Sequence, residues 1–176
     1  MKSHEEIYNL LKEKFGDAIG QSITNLPVES FIEVSPLKIH EISYFLRDDN
    51  ELLFDNLMLL SGLDDMNDKK VKQEDGSIVD VPGTLSVVYH IESTSLRHKI
   101  VLKCSCPKDK PEVESVNSIW RSADWNEREA YDMFGIIFLN HPDLRRILMP
   151  YDWEHGFPLR KDYKNPEFYQ GMKVPY

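Results

Sequence analysis

The chain has 176 residues and a formal charge of −9 at pH 7, with 30 acidic against 21 basic side chains. That length suits one domain, or one domain with an appendage, and such an excess of acid repels the phosphates of nucleic acid at long range. Hydrophobic residues at 41% and charged residues at 29% are ordinary for a soluble globular protein. No apolar run reaches the roughly 18 residues that a membrane-spanning helix needs, so membrane contact is expected only through partners.

The N-terminus, MKSHEEIYNLLKEKFG, is acidic and amphipathic, unlike a signal peptide or an Arg-rich transit sequence. Ser3 and Glu6 form a capping box, and Ile7, Leu10, Leu11 and Phe15 recur at helical spacing until Gly16 ends the helix. Glu29 to Val34 reads as a strand. Ser35 then serves as N-cap and Pro36 as first-turn residue of a second helix, with Leu37, Ile39, Ile42, Phe45 and Leu46 on its apolar face and His40 at the edge. The apolar run 52–60 has no decisive period and is taken as a strand Leu52 to Phe54 followed by a short segment Leu57 to Leu60.

Residues 64–82 form a charged, mobile loop, with an Asp75-Gly76 turn between short strand arms at Val71 and Ile78 to Val81. Thr84 to Ile91 and Leu96 to Cys104 alternate as a hairpin. Cys104 and Cys106 point the same way on that strand, and two thiolates do not complete a tetrahedral zinc site, so both are expected to be reduced. Val113 to Val116 reads as a further strand and Ser118 to Arg121 as a helical lead-in. Asp124 is expected to cap the next helix with Glu127 as reciprocal partner, and Gly135 to end it. Beyond Phe138, prolines at 142, 150, 158, 166 and 175 break any long helix or central strand.

The order of elements predicts an α+β fold, a two-layer sandwich with a mixed, mainly antiparallel sheet of four or five strands and helices on one face. It divides into an α+β domain over residues 1–122, carrying the charged loop 64–82, and residues 123–176, a charged, aromatic-rich helix with an extended partner-binding arm. The tail from Lys164 carries Phe168, Tyr169, Met172, Val174 and Tyr176 with no partner in its own segment, a composition suited to the core of a protein interface.

Residues 124–162 concentrate charge beside aromatic bulk: Glu127, Arg128, Glu129 and Asp132 lie among Trp125, Tyr131, Met133 and Phe134. With His141 and His155 these carboxylates suggest acid–base groups or ligands of a metal-dependent hydrolase. Against that, Arg128 and the Arg145-Arg146 pair supply cations enough without a metal, and no metalloprotease spacing, P-loop, dinucleotide fingerprint or nucleophile elbow occurs. His141, extended before Pro142, is expected to hydrogen-bond local backbone. Arg145 or Arg146 is expected to pair with Glu129 or Asp132, or with a carboxylate of a partner chain.

The same residues carry a resemblance. EREAYDMFGIIFLNHPDLRRIL at 127–148, followed by WEHGFPLRKD at 153–162, resembles the signature of the C subunit of respiratory complex I, the NADH–quinone oxidoreductase. The match is strong over about residues 120–163. The resemblance implies a cofactor-free subunit of the peripheral arm, in a complex that uses FMN, iron–sulfur clusters, NADH and quinone and couples electron transfer to ion translocation. It implies an arm that wraps the quinone-reducing subunit near the iron–sulfur subunits. Glu127, Arg128, Glu129, Asp132, Gly135, His141, Pro142, Arg145, Arg146, Pro158, Leu159, Arg160, Lys161 and Asp162 would then be structural or partner-facing, with no catalysis by the isolated chain. The absence of a presequence points to a bacterial protein on the cytoplasmic face of the inner membrane. The matching subunit of a membrane-bound hydrogenase, or of a complex fed by another donor, fits the same pattern. The Cys104/Cys106 pair and the charged loop are not part of it.

Overall fold

A computed structural model of the chain describes residues 1–72 and 78–174. Helix α1 (His4–Phe15) opens on the expected capping box: Ser3 Oγ accepts from the Glu6 amide at 3.2 Å, and Glu6 accepts from the Ser3 amide at 2.7 Å. Gly16, at φ 52°, stops it, and a 3-10 turn leads into strand β1 (Ile19–Ile23). This strand, IGQSI, has too little apolar alternation to be read from sequence. Strand β2 (Phe31–Val34) follows, shorter than expected.

Helix α2 (Ile39–Asp48) starts later than Ser35-Pro36 implied. The Ser35 amide is held by Ala18 O at 2.8 Å and its carbonyl by the Lys38 amide at 3.0 Å, so Ser35 is tied to the 3-10 turn before β1 instead of capping a helix. His40 keeps its edge position, with Nε2 3.0 Å from Ser118 Oγ.

The run 52–60 also resolves differently. The Leu52 and Leu53 amides bond back to Asp49 O, Leu53 takes a φ of 43°, and Leu52 and Phe54 are fully buried. The strand proper, β3 (Asn56–Asp64), begins after this turn. The turn buries Leu52 and Phe54 while β3 leaves Met58 and Leu59 exposed, so apolar residues sit on both the inner and the outer side and the run shows no single period. In the charged segment, strands β4 (Lys69–Lys72) and β5 (Ile78–Val81) pair antiparallel, as the expected arms, so ordered structure occupies part of the loop read as mobile. The Asp75-Gly76 turn lies outside the described residues.

Strands β6 (Thr84–Glu92) and β7 (Lys99–Pro107) form the long hairpin. The main sheet runs β1-β2-β7-β6-β3, antiparallel except where β2 lies parallel to β7. Leu85, Val87, Tyr89 and Ile91 of β6, with Ile100, Leu102, Cys104 and Cys106 of β7, are buried on one face against Ile7, Leu11, Ile39, Ile42 and Leu46 of the helices. The α+β fold with a mainly antiparallel sheet is therefore as expected. Both thiols are free and buried, and burial pushes Cys106 up to about 11 and Cys104 well above its ordinary range, which makes both poor nucleophiles.

Strand β8 (Glu112–Glu114) does not join the main sheet. It pairs in parallel with β9 (Ile137–Leu139), a strand hidden in the proline-rich stretch, and the two bracket helix α3 (Ala123–Phe134). Helix α3 lies over β3, where Gly62 lets it approach: a Cβ there would sit 2.6 Å from a ring carbon of Phe134. Gly62→Ala should accordingly lower stability by about 1–3 kcal/mol through overpacking. Urea unfolding that shows no loss would mean α3 can shift away freely.

Candidate interface on the signature helix and C-terminal arm

Two carboxylates of α3 point inward, and each is used differently. The helix is not capped as expected: Ser122 is the N-cap without a side-chain bond, its hydroxyl donating instead to Leu57 O at 3.1 Å. Asp124 lies in the first turn and pairs with Arg128 at 2.7 Å. Glu127, freed from capping, is fully buried and accepts from Ser115 Oγ at 2.6 Å and the Val116 amide at 2.8 Å, which ties α3 to the residues after β8. Burial pushes its carboxyl up to about 7 despite those donors, with Asp124 adding repulsion. His141, its side chain wholly enclosed, places Nε2 3.3 Å from Asp124 O, 3.4 Å from Asp124 Oδ1 and 3.8 Å from Glu127 Oε2, while Nδ1 accepts from the Asp143 amide at 3.1 Å. The expected bond to local backbone is present.

Asp132 anchors the arm. Its Oδ2 accepts three consecutive amides, Ile147 at 3.0 Å, Leu148 at 2.7 Å and Met149 at 2.9 Å, and its Oδ1 accepts from Arg146 at 2.8 Å. Burial acts to raise this carboxyl, but the Met149, Leu148 and Ile147 amides and the Arg146 guanidinium outweigh it and hold it below the usual carboxylate range. Arg146 thus pairs as expected. Arg145 does not: it is exposed and meets Asp143 at 3.1 Å. Glu129 is exposed and makes no hydrogen bond or ion pair among the described residues.

The end of α3 is sealed by the arm as well. A helix leaves its last four carbonyls without helical partners. Here Gly135, at φ 74°, gives its amide to Tyr131 O; Arg146 reaches Asp132 O; the Leu159 amide reaches Met133 O; and Arg160 Nε reaches Phe134 O at 2.6 Å. A side chain at Gly135 would run into the Phe157 ring, over which Arg160 stacks at 4.6 Å. The Lys161 amide binds Asp64 Oδ2 at 3.0 Å, and Asp64 also meets Lys108 at 3.0 Å. Pro158 is half-buried, while Pro142 and Asp162 are exposed.

The tail does find partners, contrary to expectation. Strands β10 (Phe168–Tyr169) and β11 (Met172–Lys173) form a small hairpin. Tyr169 donates to Asp152 at 2.8 Å and lies 5.4 Å from the Trp153 ring, which His155 meets from 5.1 Å. Tyr176 lies outside the described residues. The residues drawn as a metal or acid–base centre are therefore dispersed: Glu127 and His141 share one pocket, Asp132 fills another, Glu129 faces solvent and His155 stacks on Trp153. Among the described residues no three His, Cys, Asp or Glu side chains converge as metal ligands. Sequence reading missed the role of residues 147–149, because backbone amides carry no residue-specific signal.

Breaking the Asp132 pair by Asp132→Ala should cost about 3–5 kcal/mol and expose the segment after Leu139 to limited proteolysis. An arm that stays protected in that variant would refute the anchor. The two carboxyls have opposite pH signatures. Asp132, lowered, stabilises above the ordinary carboxylate range and loses that contribution on acidification. Glu127, raised from an ordinary 4.5 to about 7, contributes fully below 4.5, and that contribution fades as pH rises through 7, a change on the order of 3 kcal/mol. Unfolding free energies from pH 4.5 to 8 should fall for the natural chain and stay flatter for Glu127→Gln; parallel curves would contradict the assignment.

The chain matches the family model for the 30 Kd subunit of respiratory-chain NADH dehydrogenase over residues 32–169. It is 45% identical to the C subunit of NADH-quinone oxidoreductase from Chloroherpeton thalassium, over 98% of this chain and 66% of that protein. It is 42% identical to the protein of the same name from Chlorobium phaeobacteroides, over 96% and 93%. In fold it is similar to the solved trypsin-resistant fragment of Nqo5, with a TM-score of 0.56 at 23% identity, covering 78% of this chain and 98% of that one. The matched span holds Glu127, Asp132 and every residue that anchors the arm, and the chain belongs to the family of the respiratory-chain NADH dehydrogenase 30 Kd subunit, which includes the C subunits of NADH-quinone oxidoreductase.

Proposed function

We propose that this chain is a cofactor-free subunit of the peripheral arm of NADH–quinone oxidoreductase, holding the quinone-reducing and iron–sulfur subunits in register. The FMN and iron–sulfur clusters sit on other subunits, which pass electrons from NADH to quinone while ions are moved across the membrane. The chain itself performs no chemistry and reaches the cytoplasmic face of the inner membrane through those partners. One observation carries this reading. The arm is fastened at its inner side by Asp132, the end of α3 and Asp64, while its outer side leaves Leu148 at 59%, Tyr151 at 96%, Leu159 at 49%, Phe168 at 55% and Met172 at 65% exposure. Large apolar and aromatic groups held open on a fixed backbone are what a partner surface requires. Of the sequence-derived set, Glu127, Arg128, Asp132, Gly135, His141, Arg146 and Arg160 then shape the arm's root, and Glu129, Pro142, Arg145, Leu159, Lys161 and Asp162 face outward, with Pro158 between.

Positioning matters because electron tunnelling and quinone binding both need fixed geometry, which a cofactor-free wedge between subunits can impose. The test is purification from membranes in mild detergent with a tag on this chain. Iron–sulfur and quinone-site subunits should be recovered with it. Tyr151→Ala combined with Phe168→Ala should cut that recovery at least tenfold without lowering the melting temperature of the isolated chain. Recovery of the chain alone would refute the proposal, and recovery with a hydrogenase module would reassign the complex.

A further inference from the structure

The main sheet has two edges of opposite character. β1 is short and polar through Gly20, Gln21 and Ser22, and its register breaks between Ile19 and Ser22. Those are the devices that blunt an edge against unwanted pairing. β3 lacks them over its second half. It runs nine residues, pairs only with β6 among the described residues, and exposes Met58, Leu59 and Leu63 at 40%, 47% and 43%.

Both ends of this edge are occupied, Leu57 O by the Ser122 hydroxyl and Asp64 by the Lys161 amide. Between them, residues 59–63 border a groove of about 320 Å³ against α3, also lined by Asn126, Glu129, Ala130 and Leu159. Gly62, the position that admits α3, is covered by the Phe134 ring, which also lines the groove. Glu129 stands over it as a carboxylate with no hydrogen bond or ion pair among the described residues.

We infer that this groove receives an extended strand from a partner protein of the complex, added to the free edge of β3 and carrying a Lys or Arg that meets Glu129. The inference rests on the proposed assembly role and names one surface of it. Main-chain bonds along 58–63 supply the attachment, the rows Leu59/Leu63 and Ala130 take alternate side chains, and Glu129 sets the charge of the guest. A second copy of this chain fits poorly. Two-fold pairing would place the same groove against itself, bringing Glu129 toward Glu129 in a dimer whose halves each carry −9. Leu159 makes the groove continuous with the outer side of the arm, so one partner can cover both.

Hydrogen exchange, compared between the isolated chain and the purified complex, tests this. Amides within 58–63 should exchange at least tenfold more slowly in the complex. A photo-crosslinker replacing Leu63 should join to a strand bearing a basic residue, and Glu129→Lys should weaken co-purification several-fold while Glu129→Gln weakens it less. Unchanged exchange in an assembled complex, or a crosslink to a helix, overturns this inference alone. A chain that never enters the complex overturns the assembly role and the inference together. Sedimentation showing a dimer of the isolated chain with 58–63 protected overturns it in favour of a second copy.

Discussion

The C-terminal third of this protein depends on the carboxylate of Asp132. It is a buried anion near the C-terminal end of a helix, where the macrodipole disfavours negative charge. Left alone it would be strongly destabilising. Three successive amides and one guanidinium surround it, and they all come from residues 146–149. An unfavourable site on the helix thus becomes a receptor for a segment that has no helix or sheet of its own. The open carbonyls at the end of α3 act in the same sense on Leu159 and Arg160. An extended chain loses conformational entropy when it is laid on a surface, and it stays there only because these buried acceptors need its donors.

Glu127, five residues earlier on the same helix, shows the complementary case. It has two donors and no close guanidinium, so burial dominates and its proton is retained to about pH 7. Asp132 has four donors, one of them cationic, and stays ionised. The same helix therefore holds a near-neutral acid at the junction with β8 and a charged one at the root of the arm. His141 closes the first of these sites by bonding to the backbone and side chain of Asp124. Every inward-facing polar group on α3 is engaged by structure, and what remains open lies on the outside.

That division on α3 and the arm, between inward groups that are engaged and outward ones that are open, suits a part of a larger assembly. A protein acting alone has little reason to hold Tyr151 almost fully in solvent or to leave half of β3 as a bare apolar edge. Family membership and these open surfaces point the same way.

Much of the body could be read from the amino-acid order alone. Local rules set the capping box of α1, the stop at Gly135, the β6–β7 hairpin and the α+β class, because capping, left-handed glycine and strict alternation are written in a few adjacent residues. The motif at 127–162 marks the family and narrows the ion pair to Arg145 or Arg146 with Glu129, Asp132 or a partner's carboxylate; the structure selects Arg146 with Asp132. Local rules failed where a residue's partner is distant. Ser35 looks like a cap but is taken up by Ala18, and Glu127, expected as the reciprocal partner of Asp124, is taken up by Ser115 and Val116. The apolar run 52–60 has no period because a buried turn at Leu52 and Phe54 joins a strand with exposed Met58 and Leu59, and β9 is hidden among prolines because its partner β8 lies more than twenty residues back. The seat of the arm on Asp132 was the decision of tertiary structure, since the groups that make it are peptide N–H bonds, identical at every non-proline position and distinguishable only by where folding brings them.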